Sequence, residues 1–334
     1  MTGDQGVLVT GARGYVGGQL IPALLSEGVL VRVLTRSALR PADWARKVDV
    51  VRGDATEAET VRRALHGVDT AYYLLHSMDG EGDLRARERQ MAQLFAREAA
   101  AAGVRRIVYL GGMHPSGELS DHLGSRAEVG EILLAGEVPA VVLQAAVILG
   151  AGSASFDMIR YLTYRLPVLL APSWVRNRLQ PIAIEDVVRY LVGAMALPDD
   201  TNRSFDIGGP EVLSYADLID RFAAVAGLPR RVVLPVPVPP STLAGYGISL
   251  IAPVTPGLAA PLVASLRHDA VADETDIRSL LPFELTGIDE ALRRAEAASP
   301  RDTGALDFAI WAAASGTASA LDLAGRMLRR YRGR

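Results

Sequence analysis

The chain contains no cysteine. That excludes disulfides, iron–sulfur clusters, thiolate zinc sites and a cysteine nucleophile. Histidine is scarce: His66, His76, His114, His122 and His268 are the whole set, and none falls at ligand spacing, so no metal site is expected. Lysine is nearly absent. Of 35 basic side chains, 34 are arginine and one, Lys47, is lysine. A mechanism that requires a lysine must use Lys47 or be abandoned. Charge of one sign is also lacking: the formal net charge is −3, which argues against a surface built for nucleic-acid phosphates. No secretory signal opens the sequence, because Met1 to Gly6 is short and polar and Val7 to Thr10 is too brief for an apolar core. The longest uncharged stretch, Val232 to Leu266, carries Pro235, Pro237, Pro239, Pro240, Pro253, Pro256 and Pro261. A spanning helix rarely tolerates that many prolines, so the stretch reads as an apolar, proline-broken surface or lid, with no transmembrane span. These absences together predict a cytoplasmic protein.

What is present is 334 residues, 49% of them hydrophobic, enough for a sizeable core in one large or two smaller domains. Short runs rich in Val, Leu, Ile and Tyr occur at Val7–Thr10, Val29–Leu34, Val48–Arg52, Thr70–Leu75, Arg106–Leu110 and Ala140–Val147. Helical patterns separate them. Gly17–Ser26 stops at Gly28, and Asp83–Ala102 stops at Gly103. Thr56-Glu-Ala-Glu59 and Ser125-Arg-Ala-Glu128 read as capping boxes, the second opening a helix over Ala127–Ala135. Strands alternating with helices, and apolar on both faces, predict an α/β fold of the doubly wound Rossmann type. Residues 1–150 are the expected dinucleotide-binding domain. Residues 151–300 are the expected substrate lobe, interleaved with late sheet elements such as Ser204–Ile207. Ser214-Tyr-Ala-Asp217 caps a helix to Ala226, and Val232–Leu234 reads as a last strand. Residues 301–334 form a helical tail ending in Arg326, Arg329, Arg330, Arg332 and Arg334. That tail reads as a solvated helix end, with a membrane-surface or partner contact as the alternative.

Gly11-Ala-Arg-Gly14-Tyr-Val-Gly17 follows the first strand and opens the first helix. There the backbone must turn sharply and approach a pyrophosphate, and the helix N-terminus offers free N–H groups. The position predicts dinucleotide binding by Gly11, Arg13, Gly14, Tyr15, Val16 and Gly17.

The spacing G-x-x-G-x-x-G resembles the short-chain dehydrogenase/reductase superfamily, especially its extended and atypical branches. Arg52-Gly-Asp54 and Gln180-Pro-Ile-Ala-Ile-Glu-Asp186-Val fit the same order. Tyr72-Tyr-Leu-Leu-His-Ser-Met78, Ile107-Val-Tyr-Leu-Gly-Gly112, Leu119-Ser-Asp-His-Leu-Gly-Ser-Arg126 and Ala145-Ala-Val-Ile-Leu-Gly-Ala-Gly-Ser-Ala-Ser-Phe156 resemble the NmrA-like bacterial NAD(P)H-binding, epimerase-like group. The resemblance implies that Asp54 and Ala55 face the adenine. It also implies that Leu75, His76, Ser77, Gly111, Arg126, Ala146 and Val147 border the rest of the cofactor.

The second strand ends Leu34-Thr35-Arg36-Ser37, with no acid until Asp43. An acid there would hold ribose hydroxyls and repel a 2′-phosphate; Arg36 and Arg13 instead suit that phosphate. The expected cofactor is therefore NADP(H).

The superfamily's usual tyrosine and lysine stand four residues apart on one helix face. Here those positions hold His122 and Arg126. His122 has three readings: a replacement acid or base, a polar lining residue, or an exposed loop histidine. Arg126 suits cofactor binding but not proton transfer. His76, after the fourth strand, is a further candidate beside the nicotinamide. A third route needs no protein acid, because an activated acceptor takes hydride if it is merely oriented in a dry pocket.

Met113, Phe156, Tyr161 and Trp174 are the expected substrate contacts. A mostly apolar lining suits a lipophilic small molecule, although Arg160, Arg165, Arg176 and Arg178 keep a nucleotide-sugar substrate open. The expected function is an NADP(H)-dependent atypical reductase acting on a ketone, enone, imine or quinone. The alternatives are a noncatalytic NADP(H)-binding regulatory or assembly protein and an epimerase-like enzyme. A monomer or homodimer is expected.

Overall fold

A computed structural model describes residues 6–39, 42, 44–75, 83–113, 121–236, 268–273 and 275–300. The first half alternates strand and helix: β1 Gly6–Thr10, α1 Tyr15–Ser26, β2 Leu30–Thr35, β3 Asp49–Arg52, α2 Ala58–Leu65, β4 Val68–Tyr73, α3 Leu84–Ala101, β5 Arg106–Gly112, α4 Asp121–Leu134 and β6 Ala140–Ala145. Then come β7 Ile148–Leu149, α5 Ala154–Arg165, β8 Val168–Ala171, β9 Arg178–Leu179, β10 Ile182–Ala183, α6 Ile184–Gly193, β11 Arg203–Ile207, β12 Leu213–Ser214, α7 Tyr215–Val225 and β13 Val232–Pro235. Two more helices cover Thr275–Leu280 and Ile288–Ala298.

Seven strands form one sheet in the order β11-β6-β5-β4-β1-β2-β3, and every pairing in it is parallel. Side chains alternate between its faces, so each strand must be apolar on both. Val7, Val9, Tyr72 and Val108 face α1 and α6 in one core with Leu20, Leu24, Val187 and Leu191. Leu8, Tyr73, Ile107 and Tyr109 face α2, α3 and α4 in the other, with Leu65, Phe95 and Leu133. Sequence order reverses between β1 and β4. That reversal is the switch point where doubly wound sheets bind ligands.

The chain divides into two units by contact. The first is Met1–Ile148, Leu179–Val212 and His268–Gly287; the second is Leu149–Arg178, Leu213–Arg267 and Ile288–Arg334. The first unit thus takes back two later segments that a cut at residue 150 leaves out. In the second unit, Phe156 of α5 packs edge-on against Phe222 of α7, 5.6 Å between ring centroids. β8 and β13 pair in parallel there.

The capping box at Ser214 is present in full: its hydroxyl accepts from the Asp217 N–H, and Asp217 accepts from the Ser214 N–H. The other two are corrected. Helix α2 begins after Glu57 without a side-chain cap, because Thr56 is drawn back onto Asp54. Ser125 lies inside α4, which already starts at Asp121, and donates its hydroxyl to the buried Glu88 of α3. Glu128 pairs with Arg85 and Arg89 of α3 instead of returning to Ser125. A neighbouring carboxylate takes Thr56, and a tertiary partner takes Ser125.

One buried arginine uses geometry that lysine lacks. Arg106, fully buried on β5, donates to the carbonyls of Ala194 at 2.9 Å, Leu197 at 2.7 Å and Pro198 at 2.5 Å. Those carbonyls lie at the turn after α6, where the last C=O groups of a helix have no N–H donor of their own. Burial lowers the Arg106 pKa below the usual guanidinium value, the cost of placing a cation there. Among the described residues, no helix is long and apolar enough to cross a membrane.

Candidate cofactor and reaction site

Every strand of the main sheet runs the same way, so its carboxyl edge collects the turn after β1, Arg36 after β2, Asp54 after β3, Leu75 after β4, Gly111–Met113 at the end of β5 and Ala146–Val147 after β6. Ligands bind at this edge in open α/β sheets.

The turn after β1 is built by leaving side chains out. Gly11 has φ +70°, and a Cβ there would lie 2.3 Å from the Leu74 carbonyl oxygen, at the β1/β4 switch point. Gly17 comes equally close: its Cβ would meet the Gly11 oxygen at 2.4 Å. The Gly14 N–H closes the turn onto the Gly11 oxygen at 2.8 Å. Thr10 ties the two strand ends together, donating to the Tyr72 oxygen and accepting from the Leu74 N–H, both at 2.9 Å. Helix α1 then starts at Tyr15 with no acidic residue in its first turn. Its first N–H groups have no acceptor within the helix, and its dipole favours an anion. The residues present fit a pyrophosphate: a turn packed too tightly for a Cβ at Gly11 or Gly17, leading into a helix N-terminus with no acid in its first turn.

Arg13 is exposed in this turn. Arg36 has a side chain 79% exposed, and its nearest acid is Asp54 at 3.9 Å. Asp54 accepts from the Thr56 N–H and hydroxyl, each at 2.9 Å. The Thr56 backbone hydrogen bond leads in holding its carboxyl below the usual range, with the Thr56 hydroxyl and Arg36 adding to it. Ala55 is buried beside it.

The reaction end is built from side chains. Arg126 projects from α4 and donates to the Leu110 carbonyl at 2.7 Å, while its Nε is buried without a partner. The Tyr109 hydroxyl donates to the Arg126 carbonyl at 3.2 Å. Burial raises the Tyr109 pKa, which keeps its hydroxyl protonated. A Cβ at Gly112 would meet Leu123 Cδ2 at 2.8 Å, so Leu123 occupies the space over the end of β5. Met113 is buried, its N–H donating to the Ala145 oxygen at 3.0 Å. His122 lies on α4, with its side chain outside the described atoms. His76 and Ser77 lie outside the described residues.

In the second unit, Phe156 is fully buried in the α5/α7 core. Tyr161 has the Arg165 and Arg160 guanidiniums over its ring, at 5.0 and 5.5 Å. Arg160 itself is bound to Glu296 at 2.9 Å and to the Pro300 carbonyl at 3.0 Å. Glu296 also accepts from the Tyr164 hydroxyl at 2.7 Å. Arg160 is therefore spent on an internal clasp, a correction to its expectation as a phosphate ligand. Trp174 is half-buried in a short 3-10 turn. Sequence reasoning missed Thr10, Leu74, Glu88 and Leu123. Of these only Thr10, last in a strand before a glycine turn, carried a local signal.

Residues 11–146 match the NAD(P)H-binding family model. The chain is 25% identical over 232 residues to an NAD(P)H azoreductase of Xenophilus azovorans, covering 68% of this chain and 76% of that one. It is 26% identical over 235 residues to a (4-alkanoyl-5-oxo-2,5-dihydrofuran-3-yl)methyl phosphate reductase of Streptomyces griseus, covering 67% and 75%. Its fold is similar to the triphenylmethane reductase of Citrobacter sp., with TM-score 0.70, 18% identity, and 87% and 99% of the two chains covered. The matched residues include the glycine turn, His122 and Arg126.

Proposed function

We propose that the chain is an NADPH-dependent reductase that passes hydride to a small, mostly apolar, electron-poor organic acceptor. The observation that carries the cofactor half is the glycine turn at the switch point, where a Gly11 Cβ would collide with Leu74. Gly11, Gly14 and Gly17, with the first N–H groups of α1, receive the pyrophosphate. Arg36 and Arg13 take the 2′-phosphate, because the end of β2 carries an exposed guanidinium where an acid would select NADH. Asp54 and Ala55 flank the adenine. Arg126 orients the cofactor and moves no proton.

When bound, the dihydronicotinamide supplies the hydride. The acceptor atom gains it, and the negative charge left on the conjugated partner atom is taken up by delocalisation and then by a proton, from His122 or from water. Azo compounds, an alkanoyl-oxo-dihydrofuran and triphenylmethane dyes, the compounds in the relatives' names, are all conjugated acceptors of this kind. That shared chemistry favours enones, imines and quinones over simple ketones.

Titration with NADPH and NADH tests the cofactor: at least about tenfold tighter NADPH binding is expected, and equal or tighter NADH binding overturns the preference. NADPH oxidation across enone, quinone, imine and ketone panels tests the reaction. Bound NADPH that persists unoxidised through all four favours the second reading, a noncatalytic NADP(H)-binding regulator. Commitment of the Arg126 guanidinium to the Leu110 carbonyl is the observation on that side. Unchanged turnover in His122→Phe would assign the proton to water.

A further inference from the structure

We propose, resting on the reductase reading above, that Arg126 takes up the negative charge that hydride transfer places on the acceptor. It thereby selects acceptors whose charge settles on an oxygen, enones and quinones, over cationic ones. The order of the strands puts Arg126 at the matching end of the cofactor. With Arg36 and Asp54, after β2 and β3, taking the adenosine half, the other half extends from the switch point over β4 and β5. β5 lies two strands, or about 10 Å, from β1. Arg126 is packed on the end of β5: a Cβ at Gly112 would lie 3.8 Å from its Nε.

The guanidinium is anchored by one bond and keeps the rest of its donors. One N–H goes to the Leu110 carbonyl at 2.7 Å, out of the five that an arginine carries. Leu110 is one residue past Tyr109, the last residue of β5 that β4 opposes, so that carbonyl stands beyond the β4–β5 ladder. The Nε is buried without an acceptor. Among the described residues Arg126 forms no ion pair. Two carboxylates of the same helix pair are engaged elsewhere, Glu128 by Arg85 and Arg89 and Glu88 by the Ser125 hydroxyl. Arg126 is half-buried, so its charge is less screened than a surface cation's. Burial raises the Tyr109 pKa, and the Arg126 charge opposes that rise. A fixed charge of this kind stabilises charge that develops beside it, because it has no need to reorient during the reaction.

The acceptor's own electron count decides how much this charge matters. The hydride comes from NADPH, which is left as NADP+. In an enone the hydride forms the new C–H bond at the β carbon, the C=C pair becomes an enolate, and the oxygen carries the charge. Water or His122 then protonates the α carbon. A quinone likewise gains hydride and is left as a phenolate-type anion until it is protonated. A cationic triphenylmethane dye behaves oppositely: the hydride cancels a positive charge already present, and no oxygen gains any. A guanidinium beside the acceptor favours the first two reactions and repels the dye before it reacts.

The test has a binding arm and a turnover arm. In the first, 4-nitrophenol stands in for the charged oxygen, since its neutral and ionised forms absorb differently, and is titrated with pH on the full chain with NADP+. Bound to the wild type it should ionise about one pH unit or more below its value on Arg126→Gln, and Arg126→Lys should restore most of that difference. In the second, single turnovers at saturating NADPH compare an enone, a quinone and a cationic triphenylmethane dye. Arg126→Gln should slow the enone and quinone at least about tenfold and leave the dye equal or faster, whereas a lost fold or a misplaced cofactor slows all three. Arg126→Lys keeps the charge and should keep the preference. The wild-type preference for quinone over dye needs no variant, and so is measured even if Arg126→Gln fails to fold. Absence of nitrophenol binding, equal ionisation on wild type and Arg126→Gln, uniform slowing of the three acceptors, or faster wild-type reduction of the dye than of the quinone would overturn the proposal and leave the reductase reading standing. Oxidation of NADPH by none of the acceptors would overturn both.

Discussion

At the turn after β1 the chain removes side chains; at α4, beside the end of β5, it adds them. The first region is positioned by backbone. Gly11 and Gly17 allow atoms to approach to distances that a Cβ forbids, and Thr10 locks two strand ends with one hydroxyl. The second is positioned by a lattice of polar side chains. Ser125 reaches Glu88, Glu128 receives Arg85 and Arg89, Tyr109 holds the Arg126 carbonyl, and Arg126 holds Leu110. A backbone device is rigid to substitution. A side-chain lattice can be rewritten residue by residue. That difference lets one backbone turn stay fixed while the side chains beside the end of β5 change.

The comparison breaks first at Gly11. Gly11→Ala sets a Cβ against the Leu74 carbonyl in a left-handed backbone. NADPH affinity should fall at least about a hundredfold, or roughly 2.7 kcal/mol, in a fluorescence titration. Wild-type affinity would mean that this turn does not hold the cofactor. Ser125→Ala should act oppositely, on stability more than affinity. It strips a hydrogen bond from a buried carboxylate, worth about 2 kcal/mol in urea unfolding. A large NADPH effect with no stability loss would place Ser125 in the cofactor site. Tyr109→Phe removes one neutral hydrogen bond and should cost about 1 kcal/mol, with the NADPH dissociation constant nearly unchanged.

The smallest effect lies in pH. The folded-state pKa of Asp54 is lowered, so its contribution to stability is present above the unfolded carboxylate value and is lost as pH falls through the folded value. Asp54→Asn should therefore lower Tm slightly at neutral pH. The variant should also lose less Tm than the parent between pH 6 and pH 3, a range chosen to span roughly the ordinary aspartate pKa. Parallel Tm curves would remove Asp54 from the acid-sensitive groups.

The backbone half was legible in the sequence because its causes are local. Glycines at fixed spacing after an apolar run, and the serine box before α7, act within a few residues. The side-chain half was not. Ser125 satisfies a local capping pattern, yet Glu88, 37 positions away, claims it. Arg160 reads as a free cation until Glu296, distant in sequence, takes it. Phe156 reads as a pocket aromatic until Phe222 covers it. Pairings across such separations leave no periodicity to read.

Arg106 bears on the order of assembly. Its acceptors lie about ninety positions downstream, with the Ala194 carbonyl at a separation of 88. Until that turn arrives, a strand in the middle of the sheet carries a desolvated guanidinium whose carbonyl partners do not yet exist. The nucleotide-binding half is therefore not a self-sufficient folding unit: during synthesis β5 can dock with full stability only after the chain has been made past Pro198. A cofactor site encoded in the opening residues waits, for its own rigidity, on a segment that arrives after the second unit has begun.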